Sequence, residues 1–120
     1  MSTTSHISVK VGNEYRTVYC HNDGYLEGVG QTLLTCYSSQ QEIEEAIDGG
    51  SMSSLGKNCS DTFYYGRDRG EKGTEYKVSK ERPKLKEDFL YIFEDGKWYV
   101  ESIYFEGCRE LTHELIEIYS

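Results

Sequence analysis

The chain has 120 residues, with 13 Lys and Arg against 21 Asp and Glu, a formal net charge of −8, and 37% apolar residues of which aromatics form a large share. That length makes one domain, with room for a core that needs no disulfide or metal staple. The acidity argues against a general nucleic-acid binder, which wants a basic face. It is compatible with an acidic surface aimed at a basic protein, with a locally basic pocket on an acidic shell, and with plain solubility.

No apolar run approaches the roughly 18 residues of a membrane span. Residues 1–6 are polar and no apolar stretch follows them, so no signal peptide is read and a cytoplasmic location is expected. Cys20, Cys36, Cys59 and Cys108 are widely spaced, without the close pair a zinc site usually shows. Free thiols, no metal and no cofactor are the expectation.

Ile7, Val9 and Val11 alternate with polar residues, and Gly12-Asn13 supplies a two-residue turn. This predicts a hairpin returning through Glu14 to Cys20, with Val9 opposite Arg16 and Ile7 opposite Val18. A loop follows, then a helix from near Gly28 or Val29 with Val29, Leu33 and Cys36/Tyr37 on one face. Ser39-Gln40-Gln41-Glu42 is a capping box. A second helix therefore starts at Gln40, turns Ile43, Ala46 and Ile47 inward and stops at Gly49-Gly50. Ser51 to Ser60 reads as a polar loop with one helical turn around Met52 to Leu55.

Thr62 to Tyr65 reads as a short strand, Gly66 to Gly73 as a charged, Gly-rich loop, and Glu75 to Ser79 as a strand pairing back. Lys80 to Glu87, with Pro83, is a connection. Phe89–Phe93 and Trp98–Phe105 form the clearest hairpin, around Asp95-Gly96. Its cross-strand pairs are Phe89, Tyr91 and Phe93 with Ser102, Val100 and Trp98. Leu90, Ile92, Tyr99 and Ile103 make its other face apolar enough for a central place in a sheet. Cys108, Leu111, Leu115 and Ile118 predict a C-terminal amphipathic helix. The expected class is α+β: a single domain, 1–120, with an antiparallel sheet of five to six strands, two central helices and a C-terminal helix packed on one side.

Two segments carry more polar chemistry than a scaffold needs. In Tyr19–Gly30, Gly28 and Gly30 precede a helix whose first N–H groups lack helical partners and whose dipole favours an anion. His21 and Asp23 are two residues apart and would point the same way on an extended segment, Asp23 orienting the imidazole. The plainer alternative is a turn at Asp23-Gly24 with His21 a hydrogen-bonded loop residue. The glycine pattern is neither a phosphate-binding Walker loop nor a dinucleotide fingerprint.

In Tyr64–Glu71, Arg67 and Arg69 are suited to grip one polyanion, and Tyr64 and Tyr65 to stack on a base. The plainer alternative is a solvated turn whose Arg are neutralised by Asp68 and Glu71. His113 reads as a surface helical residue. Glu42, Glu44 and Glu45 suit a helix dipole, or present an acidic patch. His6 carries no assignment.

Tyr19-Cys20-His21-Asn22-Asp23-Gly24-Tyr25, Val29-Gly30-Gln31-Thr32-Leu33-Leu34, Ser53-Ser54-Leu55-Gly56 and Arg67-Asp68-Arg69-Gly70-Glu71 stand in one order along the chain. Together they resemble a family of small proteins encoded by bacteriophages and prophages, over residues 7–105. Asn22 departs from that pattern, which has an aromatic, commonly Trp, at this position. The resemblance implies an origin in the host bacterial cytoplasm rather than an activity.

The expectation is a phage-type counter-defence protein that sequesters a small anionic ligand, a nucleotide-derived immune signal, between two converging loops. The ligand-binding residues would be His21, Asp23, Tyr25, Gly28, Gly30, Tyr65, Arg67 and Arg69. One alternative is an acidic inhibitor of a host defence nuclease or CRISPR complex. Another is a small enzyme for a phosphorylated or nucleotide substrate, with His21 as acid/base beside Asp23. A further one is a homo-oligomer interface built from the same loops.

Overall fold

Alternation and a tight turn make the first hairpin in the computed structural model, which describes residues 2–119. β1 (Ser5–Val11) and β2 (Glu14–Cys20) pair antiparallel with Ile7 opposite Val18 and Val9 opposite Arg16, as the two-residue turn requires. Gly12 takes φ +64°, which an L side chain rarely adopts. The chain leaves Cys20 through a loop, makes a π-helical turn at Leu26–Gly30 and runs directly into α1 (Gln31–Cys36).

α2 (Gln40–Asp48) starts where its capping box predicts. Ser39 Oγ accepts from the Glu42 N–H at 3.2 Å and donates to Glu42 Oε1 at 2.9 Å, so the box closes side chain to side chain. The remaining elements are β3 (Met52–Ser54), β4 (Phe63–Tyr64), α3 (Tyr65–Arg69), β5 (Lys77–Ser79), β6 (Phe89–Glu94), β7 (Lys97–Ser102), β8 (Phe105–Glu110) and α4 (His113–Ile118).

The sheet has eight strands in the order β4-β3-β2-β1-β6-β7-β8, with β5 added to β2. It is mixed, not antiparallel: β1 runs parallel to β6, and β2 parallel to β3. The reason lies in β6, whose residues Phe89 to Phe93 are all buried. A strand apolar on both faces belongs in the middle of a sheet, and the free edge of β1 is reached only by a long return from β2. The predicted β6–β7 pairs hold, with Tyr91 opposite Val100 and Phe93 opposite Trp98.

Four local expectations are corrected. The helical turn expected at Met52–Leu55 is β3, drawn out straight because Met52 continues the ladder beyond Cys20. The Gly66–Gly73 loop begins as α3, where Asp68 Oδ2 reaches back to accept from the Tyr64 N–H at 2.8 Å and Gly70 ends the turn at φ +66°. β5 pairs with β2, not back on Thr62–Tyr65. Cys108 lies in β8, and the C-terminal helix starts only after Thr112, whose hydroxyl accepts from the Leu115 N–H. Leu111, Leu115 and Ile116 enter the core, while Ile118 is exposed.

One face of the sheet carries Ile7, Val9, Val18, Cys20, Tyr91, Phe93 and Val100 against residues of α1, α2 and α4. Each fully buried Leu or Ile there contributes roughly 1.5–3 kcal/mol. Buried polar tips find partners: Tyr91 donates to the Gly24 carbonyl at 2.7 Å and Trp98 Nε1 to the Tyr37 carbonyl at 2.9 Å. On the other, more open face Leu85 packs on Tyr15, Leu90 and Ile92, which straps residues 80–87 across the sheet. Among the described residues no helix is long and apolar enough to cross a membrane.

Candidate functional site

The ladder β2-β3-β4 brings the two motif segments to one end of the sheet. The His21 N–H donates to the Met52 carbonyl at 3.1 Å and the Asn22 N–H to the Ser53 carbonyl at 2.9 Å. Asn22 Nδ2 adds bonds to the Ser53 carbonyl and hydroxyl, so this residue stitches β2 to β3. Tyr19 and Tyr65 lie within electrostatic reach of each other; burial first, then Glu87 and Tyr65, push the Tyr19 phenol up.

Within the first segment the polar groups serve the loop itself. His21 Nδ1 pairs with Tyr19 Oη at 2.7 Å, and Asp23 Oδ1 accepts from the Tyr25 hydroxyl at 3.3 Å, so His21 and Asp23 do not form the expected pair. Asp23 sits at φ +56° and its carbonyl accepts from the Val29 N–H at 2.8 Å. The N–H groups of Gly28 and Gly30 donate to the Tyr25 carbonyl. These donors are therefore occupied and cradle no anion from this conformation. The glycines are required for space: a Cβ on Gly28 would run into the Asp23 carbonyl oxygen, and one on Gly30 would press on the Tyr91 ring. Burial pushes the Cys20 thiol up to about 12, which makes it an inert core residue.

Arg67 of the second segment is a clamp. Its guanidinium donates to the Cys59 carbonyl at 2.8 Å, the Thr62 carbonyl at 2.7 Å and both oxygens of Asp68 at 2.9 Å, over the Tyr64 ring. The Arg67 hydrogen bond, then the Tyr64 N–H, hold the Asp68 carboxyl below its usual range. Tyr64 is buried and donates to the Ala46 carbonyl, so it is closed to stacking. Arg69 is more open, but it pairs with Glu71 at 3.1 Å and lies over Tyr65.

His21, Asp23, Gly28, Gly30, Tyr65, Arg67 and Arg69 line none of three clefts found among the described residues, and Tyr25 lines one of them, an aromatic cleft. The two segments are neighbours, but their side chains do not open onto one shared cleft.

A cleft of about 400 Å³ lies instead on the open face of the sheet, under the 80–87 strap. Its floor is His6 and Thr17, and its walls carry Lys77, Arg82, Lys84 and Lys86, with Glu81 as the one acid. Arg82 anchors the strap by donating to Glu94 Oε1 at 3.3 Å and Cys108 Sγ at 3.1 Å. Lys77, Lys84 and Lys86 make no ion pair among the described residues.

Two neighbouring acids are held by Thr4: Glu87 accepts from the Thr4 hydroxyl at 2.8 Å and Asp88 from the Thr4 N–H at 3.1 Å. His6 is half-buried and edge-on to Tyr19, at 6.1 Å between ring centres. Burial holds its pKa below the ordinary value, against the pull of Glu87 and with help from Lys86. Among the described residues no group of three or more His, Cys, Asp or Glu is placed to hold a metal ion.

No family model, curated protein or solved structure matches the chain, so the site stands on its own geometry.

Proposed function

We infer that the protein binds a small anionic ligand and that the cationic cleft, rather than the two motif loops, is its seat. The observation that carries this reading is the set of unpaired Lys77, Lys84 and Lys86 around one cleft in a chain of net charge −8. Like charges held together without partners repel one another, and an anion relieves that repulsion. A volume of about 400 Å³ suits a nucleotide-sized ligand. Lysine ammonium groups serve phosphate as point charges, and Thr17 adds a hydroxyl at the floor. In this reading the ligand is sequestered rather than transformed. On this proposal the use is counter-defence, with a nucleotide-derived signal as the ligand.

Calorimetry at low salt with pyrophosphate and with a cyclic dinucleotide tests this. Binding is expected to weaken at least tenfold in the Lys84→Glu/Lys86→Glu variant and to weaken with rising salt. If neither probe binds, or the double variant binds as tightly as the parent, the cleft is not the seat. Loss of binding in Arg69→Ala alone would move the seat to the second motif loop.

A further inference from the structure

A second cleft, of about 260 Å³, opens where the π-helical turn, the start of β6, the β7–β8 turn and the end of α4 meet. Its lining includes the rings of Tyr25, Phe89, Tyr104, Phe105 and Tyr119, and its one charge is Glu27. Tyr104 is 67% exposed, Tyr25 43% and Tyr119 41%, and Ile103 and Ile118 lie exposed in the same turn and helix. Exposed aromatics scattered singly are ordinary, but a contiguous set around a cavity marks an interaction site.

The rings pack in pairs, Phe89 itself buried and stacked on Tyr91, while Tyr25, Tyr104 and Tyr119 are exposed. Phe105 and Tyr119 lie 4.9 Å apart between centres, and Phe89 and Tyr104 5.7 Å. An aromatic face carries negative potential and attracts a cation. At this cleft the chain already does so on one side: the Arg109 guanidinium sits 5.4 Å from the Phe105 centre and 5.7 Å from that of Tyr119. Tyr25, Phe89 and Tyr104 have no such cation among the described residues. Their side of the cleft is also the acidic one. The Asp23 charge first, then desolvation, the hydrogen bond to Asp23 and the Glu27 charge, push the Tyr25 phenol up.

We propose that this cleft is an aromatic cage for the arginine or lysine side chain of a basic partner protein, seated between Tyr25 and Tyr104 with Glu27 as its counter-charge. Charge complementarity favours that occupant: an acidic chain of net charge −8 meets a basic protein favourably at long range. Three exposed tyrosines around one cleft suit a protein surface better than an isolated ion. Tyrosines around a central pocket that takes an arginine are the usual composition of an interface hot spot. The cage is independent of the lysine cleft and stands or falls separately.

The test is an NMR titration of the full chain with a six-residue peptide carrying two arginines, and with the same peptide carrying citrulline in their place. The arginine peptide is expected to shift the Tyr25 and Tyr104 ring signals and to bind at least tenfold more tightly than the neutral one. Glu27→Gln and Tyr104→Ala are each expected to weaken it at least fivefold, while Glu45→Gln, an exposed acid on α2, leaves it unchanged within twofold. Equal binding of the citrulline peptide would overturn the cage. So would equal weakening by Glu45→Gln, which would mean attraction to the overall charge alone. Saturation of the same rings by tetramethylammonium as tightly as by the peptide would overturn the protein-borne occupant in favour of a free organic cation.

Discussion

Arg67 and Lys84 carry the same charge in opposite circumstances. Arg67 donates to two backbone carbonyls and a carboxylate and covers a tyrosine ring, so its charge is committed to holding the 59–68 segment. Lys84 stands on a strap fixed by Leu85 and Arg82 and makes no ion pair among the described residues. The motif-rich end of the sheet is thus saturated from within, and the motif-poor strap holds charge in reserve. A dense polar motif marks a backbone that needs many partners, whereas a binding surface is marked by polar groups left without them.

The comparison breaks if the motif loops tolerate change. The largest expected effect is at Gly28. Alanine there must move the Asp23 carbonyl, which also accepts from the Val29 N–H and so anchors the start of the π-helical turn. Overpacking of this kind costs about 3 kcal/mol. Gly28→Ala is expected to lose that much in denaturant unfolding while the residual folded fraction still binds pyrophosphate. A variant as stable as the parent would show that the loop is loose, and would reopen it as a ligand cradle.

Arg67→Ala comes next. Its melting temperature is expected to fall at neutral pH, with anion affinity unchanged within twofold. Part of the loss is electrostatic and has a definite pH range. Asp68 has a folded pKa held below its ordinary value by Arg67, so its contribution is full above about pH 4 and lost as pH falls through the lowered value. The gap between parent and variant should therefore narrow in acid. An Arg67→Ala protein that keeps its melting temperature but loses the anion would reverse the roles given to the two regions.

What could be read in advance follows the same division. The register of both hairpins was legible because a two-residue turn sets register and alternation sets facing, both local facts, but the strand expected to run from Trp98 to Phe105 ends at Ser102 and leaves Ile103 exposed in a turn. The parallel union of β1 with β6 was not legible, since it joins residues more than eighty apart and depends only on which edges remain free. β3 and β5 are three residues each and are strands because β2 offers an edge to pair with. The Arg67 motif announced its position, but not its partners: Cys59 lies in a polar loop, and Thr62, read as the start of a strand, is a bend just before β4. His6, left without an assignment, was within reach: the alternation of Ile7, Val9 and Val11 continues back to place it in the strand, on the more open face. The lysine cleft was hidden because Lys80–Glu87 reads as mixed charge, and only the structure turns Glu87 aside toward Thr4.

His6 gives the smallest and sharpest test. In the free protein its pKa lies below about 6.5, because burial disfavours the imidazolium. On acidification through the ordinary histidine pKa the unfolded chain takes the proton first, so this group lowers stability as pH falls toward its folded pKa. An anion in the cleft supplies the counter-charge that burial withholds, raising the His6 pKa in the complex. By linkage, the same anion must then bind more tightly as pH falls, and each unit of pKa rise corresponds to about tenfold in affinity. The probe is a cyclic dinucleotide, whose phosphodiesters keep their charge between pH 7.5 and 5.5. The His6 ring signals should titrate below the ordinary value without ligand and above that free value with it, and affinity should rise between the two pH values. His6→Gln should bind at pH 7.5 and lose the dependence. A His6 pKa that stays put at saturation would mean the anion sits away from the floor of the cleft, leaving only the outer lysines as its contacts.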